Sequence, residues 1–264
     1  MIPMTAIPKA FSKKALQPIY EQIEHVRAVN PPLPPAPKRS ARDIKADELR
    51  AHFSGVHAEL CRALSWIRQP GEETFSTFKV DRGSQDQAKA LSIAKRFSSR
   101  LLDRVLDDKH AEAGILFLGF TGTGKTLLSK AILHDLAARK TPGFFLPASE
   151  YFDLYTPSFS ARLDAPLWKI RQWLASTACL VIDEVGVSAW TDARKDRLQQ
   201  ILDLRSANRL PTVVTTNLNA NDFAAAGAER ISSRFDQLLY PIACTWQDYR
   251  KRTALKSFKP EEVF

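Results

Sequence analysis

Gly119-Phe120-Thr121-Gly122-Thr123-Gly124-Lys125-Thr126 fits the pattern G-x-x-x-x-G-K-[ST], and its surroundings give that pattern meaning. The apolar run Ile115-Leu116-Phe117-Leu118 before it reads as a short strand buried on both faces. From Leu127 through His134 the apolar residues recur at helical spacing. Strand, glycine-rich turn and helix are together what a phosphate-binding loop needs. Glycine has no Cβ to stop backbone N–H groups from turning inward around an anion, and the following helix points its first N–H groups at the same place. In this frame Lys125 would reach the β- and γ-phosphates of a nucleoside triphosphate, and Thr126 would place a hydroxyl on Mg²⁺. Gly119, Thr121, Gly122, Thr123, Gly124 and Leu127 would complete the cradle for ATP. The alternative is a glycine-rich turn that binds nothing.

A second motif follows one helix–strand unit later, after the strand Gly143-Phe144-Phe145-Leu146-Pro147. Cys179-Leu180-Val181-Ile182 runs into Asp183-Glu184. Two carboxylates at the tip of a buried strand put Asp183 beside the Mg²⁺ of the loop and leave Glu184 to polarise an attacking water as general base. Thr212-Val213-Val214-Thr215-Thr216 is a further strand, ending at Asn217, whose amide can bond a γ-phosphate or the lytic water. In Glu229-Arg230-Ile231-Ser232-Ser233-Arg234-Phe235 the two arginines are four apart, hence on one face if helical. A planar, always-charged guanidinium stabilises developing charge in phosphoryl transfer, often from a neighbouring subunit. A solvated basic helix is the plainer reading.

Outside these motifs the chain changes character. Of its 16 prolines, 8 fall before residue 38, and Pro31-Pro32-Leu33-Pro34-Pro35-Ala36-Pro37 favours an extended, semi-rigid stretch leading into Lys38-Arg39. Ile19, Ile23 and Val26 are spaced for one face of a short helix, which packs loosely or docks on a partner. Leu49, Phe53, Val56, Leu60, Leu64 and Ile67 predict an amphipathic helix over about 46–68, ended by Gln69-Pro70-Gly71. A helix from about Ser84 follows, with Ala88, Leu91, Ala94, Phe97 and Leu101 as its apolar face. The expected organisation is therefore a small helical N-terminal region, 1–71, that binds a partner, and a nucleotide-binding domain, 72–264. Between Ser149 and Leu174, Tyr151, Phe152, Tyr155, Phe159, Trp168 and Trp173 interleave with Arg162, Lys169 and Arg171. Stacking rings and basic side chains suit single-stranded nucleic acid, and they equally suit a helix packed on a sheet. Arg162, Lys169 and Arg171 are the better DNA candidates, since buried arginine and lysine are rare without partners.

Composition fits. At 264 residues, 44% hydrophobic and 25% charged, the chain has ample material for a core. A net charge of +9 favours a polyanionic partner through counterion release. Cys61, Cys179 and Cys244 are odd in number and far apart, as reduced thiols are, and His57 with Cys61 is half of a metal site at most. The N-terminus does not read as a signal peptide and no run approaches membrane-spanning length, so the expected location is cytoplasmic, with no membrane partner.

With these residues in hand, 72 to about 252 resemble the AAA+ ATPases of the DnaC-type helicase-loader family, related to the IstB-type transposition helpers. The likeness rests on Gly119 to Thr126, Leu180 to Gly186, Ile201 to Pro211, Thr215 to Leu218, Glu229 to Phe235 and Trp246-Gln247-Asp248-Tyr249-Arg250. It implies an α/β AAA+ P-loop NTPase, a three-layer α/β/α sandwich on a central parallel sheet. Few residues follow Arg250, implying little or no C-terminal lid. Lys125 and Thr126 would be Walker A, Asp183 and Glu184 Walker B, Asn217 sensor 1, Arg234 the arginine finger and Arg250 a sensor-2-like contact to the nucleotide. The implied activity is ATP hydrolysis coupled to loading a replicative hexameric helicase onto single-stranded DNA, with homo-oligomers forming on ATP and DNA. A transposition helper that coats duplex DNA and recruits a transposase is the alternative, and a non-catalytic ATP-dependent adaptor the second. Thr121 stands where many relatives carry proline, at a position that offers mainly backbone.

Overall fold

The computed structural model describes residues 39–160, 163–186 and 189–249. The chain divides into two compact units, Met1–Ser40 and Ala41–Phe264, and every element described below belongs to the second. In chain order these are α1 (Ala41–Ala63), α2 (Gln85–Asp107), β1 (Gly114–Gly119), α3 (Lys125–Ala138), β2 (Phe144–Pro147), α4 (Ala148–Asp153), α5 (Pro157–Ser160), α6 (Leu167–Ser176), β3 (Leu180–Val185), α7 (Asp192–Ala207), β4 (Thr212–Thr216), α8 (Ala220–Ala225), α9 (Glu229–Leu238) and β5 (Leu239–Cys244). The strands form one five-stranded sheet in the order β2-β3-β4-β1-β5, every neighbouring pair parallel.

Parallel strands are buried on both faces, and these read that way. Successive residues of β3 alternate between two cores. Leu180 and Ile182 join Leu146, Val214, Ile170, Leu174, Leu198 and Phe235 on one face. Val181 joins Ile115, Phe117, Val213, Ala94, Phe97, Leu128 and Ile132 on the other. The result is the expected α/β/α sandwich. α2 starts where Ser84 caps it, its Oγ accepting from the Gln87 N–H, and buries Ala90, Ala94, Phe97 and Leu101.

The expected helix over 46–68 is displaced: α1 runs Ala41–Ala63, and Leu64 and Ile67 lie beyond its end, still buried. Phe53 belongs to one core while Val56, Leu60 and Leu64 belong to the other, so α1 is built into the sandwich. The division expected at 71/72 therefore falls inside a compact unit that begins at Ala41, because the α1 stripe buries itself in the two cores, against α6 and α2. Just past the stripe, the Gln69 side chain accepts from the Phe145 N–H at 2.8 Å and donates to the Phe145 C=O at 3.0 Å. A side-chain amide thus pairs with edge strand β2 as another strand would, and blunts that edge. The other edge strand, β5, carries Pro241, which offers no N–H to a further strand.

Arg205 of α7 is fully buried, and among the described residues no carboxylate pairs with it. Its guanidinium donates to Leu174 O (2.7 Å), Thr177 O (3.0 Å), Pro211 O (2.6 Å) and Thr212 Oγ1 (3.0 Å), tying the end of α6 to the start of β4. Burial pulls its pKa down to about 10, so it stays charged at neutral pH. The N-terminal segment before residue 39 and the chain after Tyr249, including the expected sensor-2-like Arg250 and the lid question, lie outside the described residues. Among the described residues no helix is long and apolar enough to cross a membrane.

Candidate nucleotide site

Ligands of open parallel sheets bind beyond the carboxyl ends of the strands, and here the ends of β1, β3 and β4 meet at one cavity of about 390 Å³. Thr121, Gly122, Thr123, Gly124, Lys125, Thr126 and Leu127 line it, together with Glu184, Thr215, Thr216 and Asn217. Gly119, at the end of β1, stands against Cys244, and its N–H neighbour Phe120 donates to Cys244 O at 3.2 Å. The loop depends on glycine where the backbone is left-handed. Gly122 has φ +77° and Gly124 φ +89°; a Cβ on Gly122 would sit 1.7 Å from Asp248 Oδ1, and one on Gly124 2.9 Å from Phe78 Cε2.

Lys125 is buried, its Nζ donating to Gly119 O at 2.8 Å and Phe120 O at 2.6 Å. The ammonium therefore spans the mouth of its own loop. One residue on, Thr126 Oγ1 donates to both carboxylate oxygens of Asp183 at 3.1 Å, and Thr215 Oγ1 donates to Asp183 Oδ1 at 2.7 Å. Burial pushes the Asp183 carboxyl pKa up, the hydroxyls of Thr215 and Thr126 pull it back, and the neighbouring Glu184 charge adds to the rise. A buried carboxylate braced by a hydroxyl beside an anion loop is a hard oxygen donor set, the kind Mg²⁺ takes together with phosphate and water. Among the described residues no group of three or more His, Cys, Asp or Glu could hold a metal, so a cation here would lean on ligand oxygens.

Glu184 follows with φ +60° at a register shift between Ile182 and Val185. Its N–H donates to Thr215 Oγ1 at 2.8 Å, and its side chain is exposed at the cavity while Asp183 stays buried. The bulge is what lets consecutive carboxylates take different jobs, since a regular strand would send them to opposite faces. Thr215 binds both halves of that turn. Asn217 stands just beyond the end of β4 and lines the same cavity.

Also lining the cavity are residues that motif reading did not assign. Phe78 and Trp246 meet edge to face, ring centroids 6.3 Å apart. Gln87, buried in the first turn of α2, accepts from the Asp81 N–H at 2.6 Å and donates to the Asp81 carboxylate at 2.9 Å, fixing the segment that carries Phe78. The run Trp246 to Arg250 carries part of the family likeness, but no local pattern gives Phe78, Gln87 or Trp246 a place at the cavity, because they converge only when 77–87 and 246–249 fold onto the loop.

The remaining candidates lie elsewhere. Arg234 does not line the cavity; on α9 its Nη2 pairs with Asp203 Oδ1 of α7 at 2.5 Å. Lys169 is exposed on α6, its Nζ 5.1 Å above the Trp173 ring, and Arg171 donates to Gln200 Oε1 at 3.3 Å. Of the aromatics interleaved with them, Tyr151 and Phe152 are core while Trp168 is 61% exposed. Arg197 stacks over Tyr155 at 4.4 Å, adding charge from α7 that the sequence did not single out. Arg162 lies outside the described residues. His57 Nε2 is 3.3 Å from Cys61 Sγ and its Nδ1 2.8 Å from Gly143 O, so the pair serves the α1 to β2 contact.

Over 187 residues, 70% of this chain and 72% of the relative, the sequence is 26% identical to the replicative helicase loader DnaC of Escherichia coli (strain K12). The chain is similar to the DnaC helicase loaders. Its fold is the AAA+ P-loop fold. The crystal structure of the DnaC helicase loader matches with a TM-score of 0.54 at 21% identity, covering 65% of this chain and 96% of that one. AMPPCP-bound DnaA from Aquifex aeolicus matches with a TM-score of 0.52 at 16% identity, over 65% of this chain and 50% of that one. No family model matches the chain.

Proposed function

We propose that this chain is an ATP-hydrolysing helicase loader that acts in the cytoplasm on single-stranded DNA. The observation that carries the proposal is the convergence of Lys125, the Thr126–Asp183–Thr215 cluster, Glu184 and Asn217 on one cavity at three strand ends. Thr126 and Asp183 would hold Mg²⁺, which when bound supplies positive charge against the phosphate oxygens. Lys125 exchanges its loop carbonyls for phosphate oxygens and neutralises their charge. Glu184 takes the proton of the attacking water and Asn217 holds that water in line. Arg234, outside its own cavity, completes the site of a neighbouring subunit, so turnover depends on self-assembly. Lys169 and Arg171 contact the DNA backbone, with Trp168 available to stack on a base. The similarity to DnaC and the net charge of +9 support a replicative hexameric helicase as cargo and DNA as platform.

Steady-state phosphate release tests the proposal. Glu184→Gln is expected to keep ATP affinity within about twofold and to lower turnover by roughly 10²–10⁴, while Lys125→Ala loses binding. Single-stranded DNA should stimulate hydrolysis more than duplex DNA, and the protein should retain a hexameric replicative helicase in a pull-down. Equal turnover by Glu184→Gln and the parent would remove the catalytic assignment. Preference for duplex DNA with no helicase retained would remove the loader assignment.

A further inference from the structure

We infer that Trp246 is a positioning residue for the phosphate loop, acting through the loop's backbone. This rests on the reading of the cavity as a nucleotide site. Past the end of β5, residues 245–249 run back over the loop, with Trp246, Gln247 and Tyr249 lining the cavity beside it, and tie to it at successive carbonyls. Trp246 Nε1 donates to Thr123 O at 2.8 Å, and the Tyr249 N–H donates to Gly122 O at 3.0 Å. A trans peptide unit is planar, with the C=O of one residue and the N–H of the next pointing opposite ways. Holding Thr123 O toward the indole turns the Gly124 N–H away from it, and holding Gly122 O toward Tyr249 turns the Thr123 N–H the same way. Those two N–H groups belong to the stretch lining the cavity and are donors an anion would use.

The loop has need of such a splint. Gly122 and Gly124 are both left-handed, and glycine gives up more conformational freedom than any other residue when fixed. From inside the loop, Thr123 Oγ1 donates to Phe120 O at 2.8 Å, and Lys125 Nζ donates to the Gly119 and Phe120 carbonyls. The Gly122 and Thr123 carbonyls take their ties from 246 and 249. Trp246 is itself held by its edge-to-face contact with Phe78, whose ring lies against Gly124. Its role is thus preorganisation of the loop's donors before the ligand arrives.

The test uses the full chain with Mg²⁺ and two probes, ATP and inorganic tripolyphosphate, the second having phosphates and no base. Trp246→Phe keeps an aromatic ring against Phe78 and removes the N–H donor. The benzothienyl isostere of tryptophan at position 246, which keeps the ring shape and lacks the N–H, is the second variant should phenylalanine impair folding. Affinity for both probes is expected to fall in parallel by roughly three- to tenfold, the worth of one hydrogen bond in a preorganised site, with the ligand-free melting temperature within about 2 °C of the parent. Unchanged tripolyphosphate affinity, whether or not ATP binding weakens, overturns the inference, because Trp246 would then act on the base or not at all. A parent protein that binds neither probe overturns the nucleotide-site reading itself, and the inference with it.

Discussion

A methyl group on Gly122 would meet the Asp248 carboxylate at 1.7 Å and impose a side chain on a backbone at φ +77°. Gly122→Ala is therefore expected to cost about 1–3 kcal/mol of stability from the left-handed backbone alone, and to weaken nucleotide binding by at least tenfold as the loop shifts. Adding Asp248→Ala should relieve the collision and leave only the backbone strain. Equilibrium denaturation and ATP titration of the single and double variants check this, and additive effects would show that the two residues do not share a cause. The meeting of Lys125, Thr126 and Asp183 was legible because the G-x-x-x-x-G-K-[ST] pattern and an apolar run ending in Asp-Glu fix residue type and spacing along the chain. Gln87 and Trp246 were not: an ordinary glutamine and an ordinary tryptophan acquire their parts from a partner far along the chain, Trp246 from Thr123 and both from the segment carrying Phe78.

Between elements, polar anchors hold what the apolar stripes bring together. Glu73 and Lys130 pair at 3.0 Å, joining the segment after α1 to α3. Burial alone would raise the Glu73 pKa, but the hydrogen bond from Lys130 and those from the Gly71 and Glu73 N–H groups outweigh it and bring it down to about 2. A carboxylate depressed in the folded state contributes stability above its unfolded pKa, near 4.5, and that contribution is lost as pH falls toward 2. Glu73→Gln should accordingly lower stability at pH 7 by at most about 1 kcal/mol, given partial exposure, and flatten the acid-side loss. Urea denaturation at pH 7 and pH 3 reads both effects. Arg205→Met is more severe. It strands the carbonyls of Leu174, Thr177 and Pro211 in the core without their donor, and is expected to cost about 3 kcal/mol or more, seen as a fall in the denaturation midpoint. The α1 stripe was readable from its period, yet the helix ends at Ala63, because Leu64 and Ile67 are buried by the turn after it and periodicity cannot tell the two apart.

For the whole molecule, the placement of Arg234 away from its own cavity bears on assembly. If it serves a neighbour, Arg234→Ala binds ATP normally and fails to turn it over. Mixing it with Glu184→Gln should restore activity to up to about a quarter of the parent level, since some interfaces would join an intact arginine to an intact base. A mixture as inactive as its components would confine Arg234 to its ion pair with Asp203. By itself the sequence determined the strand ends that converge on the cavity, the glycine-rich turn between β1 and α3, and the parallel α/β class, because such a turn and buried strands both impose local patterns of residue type and spacing. Left undivided by those patterns were the strand β5, with its interrupted alternation at Tyr240 and Pro241, and the membership of α1 in the sandwich. Those were decided only in three dimensions. A strand is defined by the neighbour it pairs with, and a helix stripe says that something must cover it without saying what.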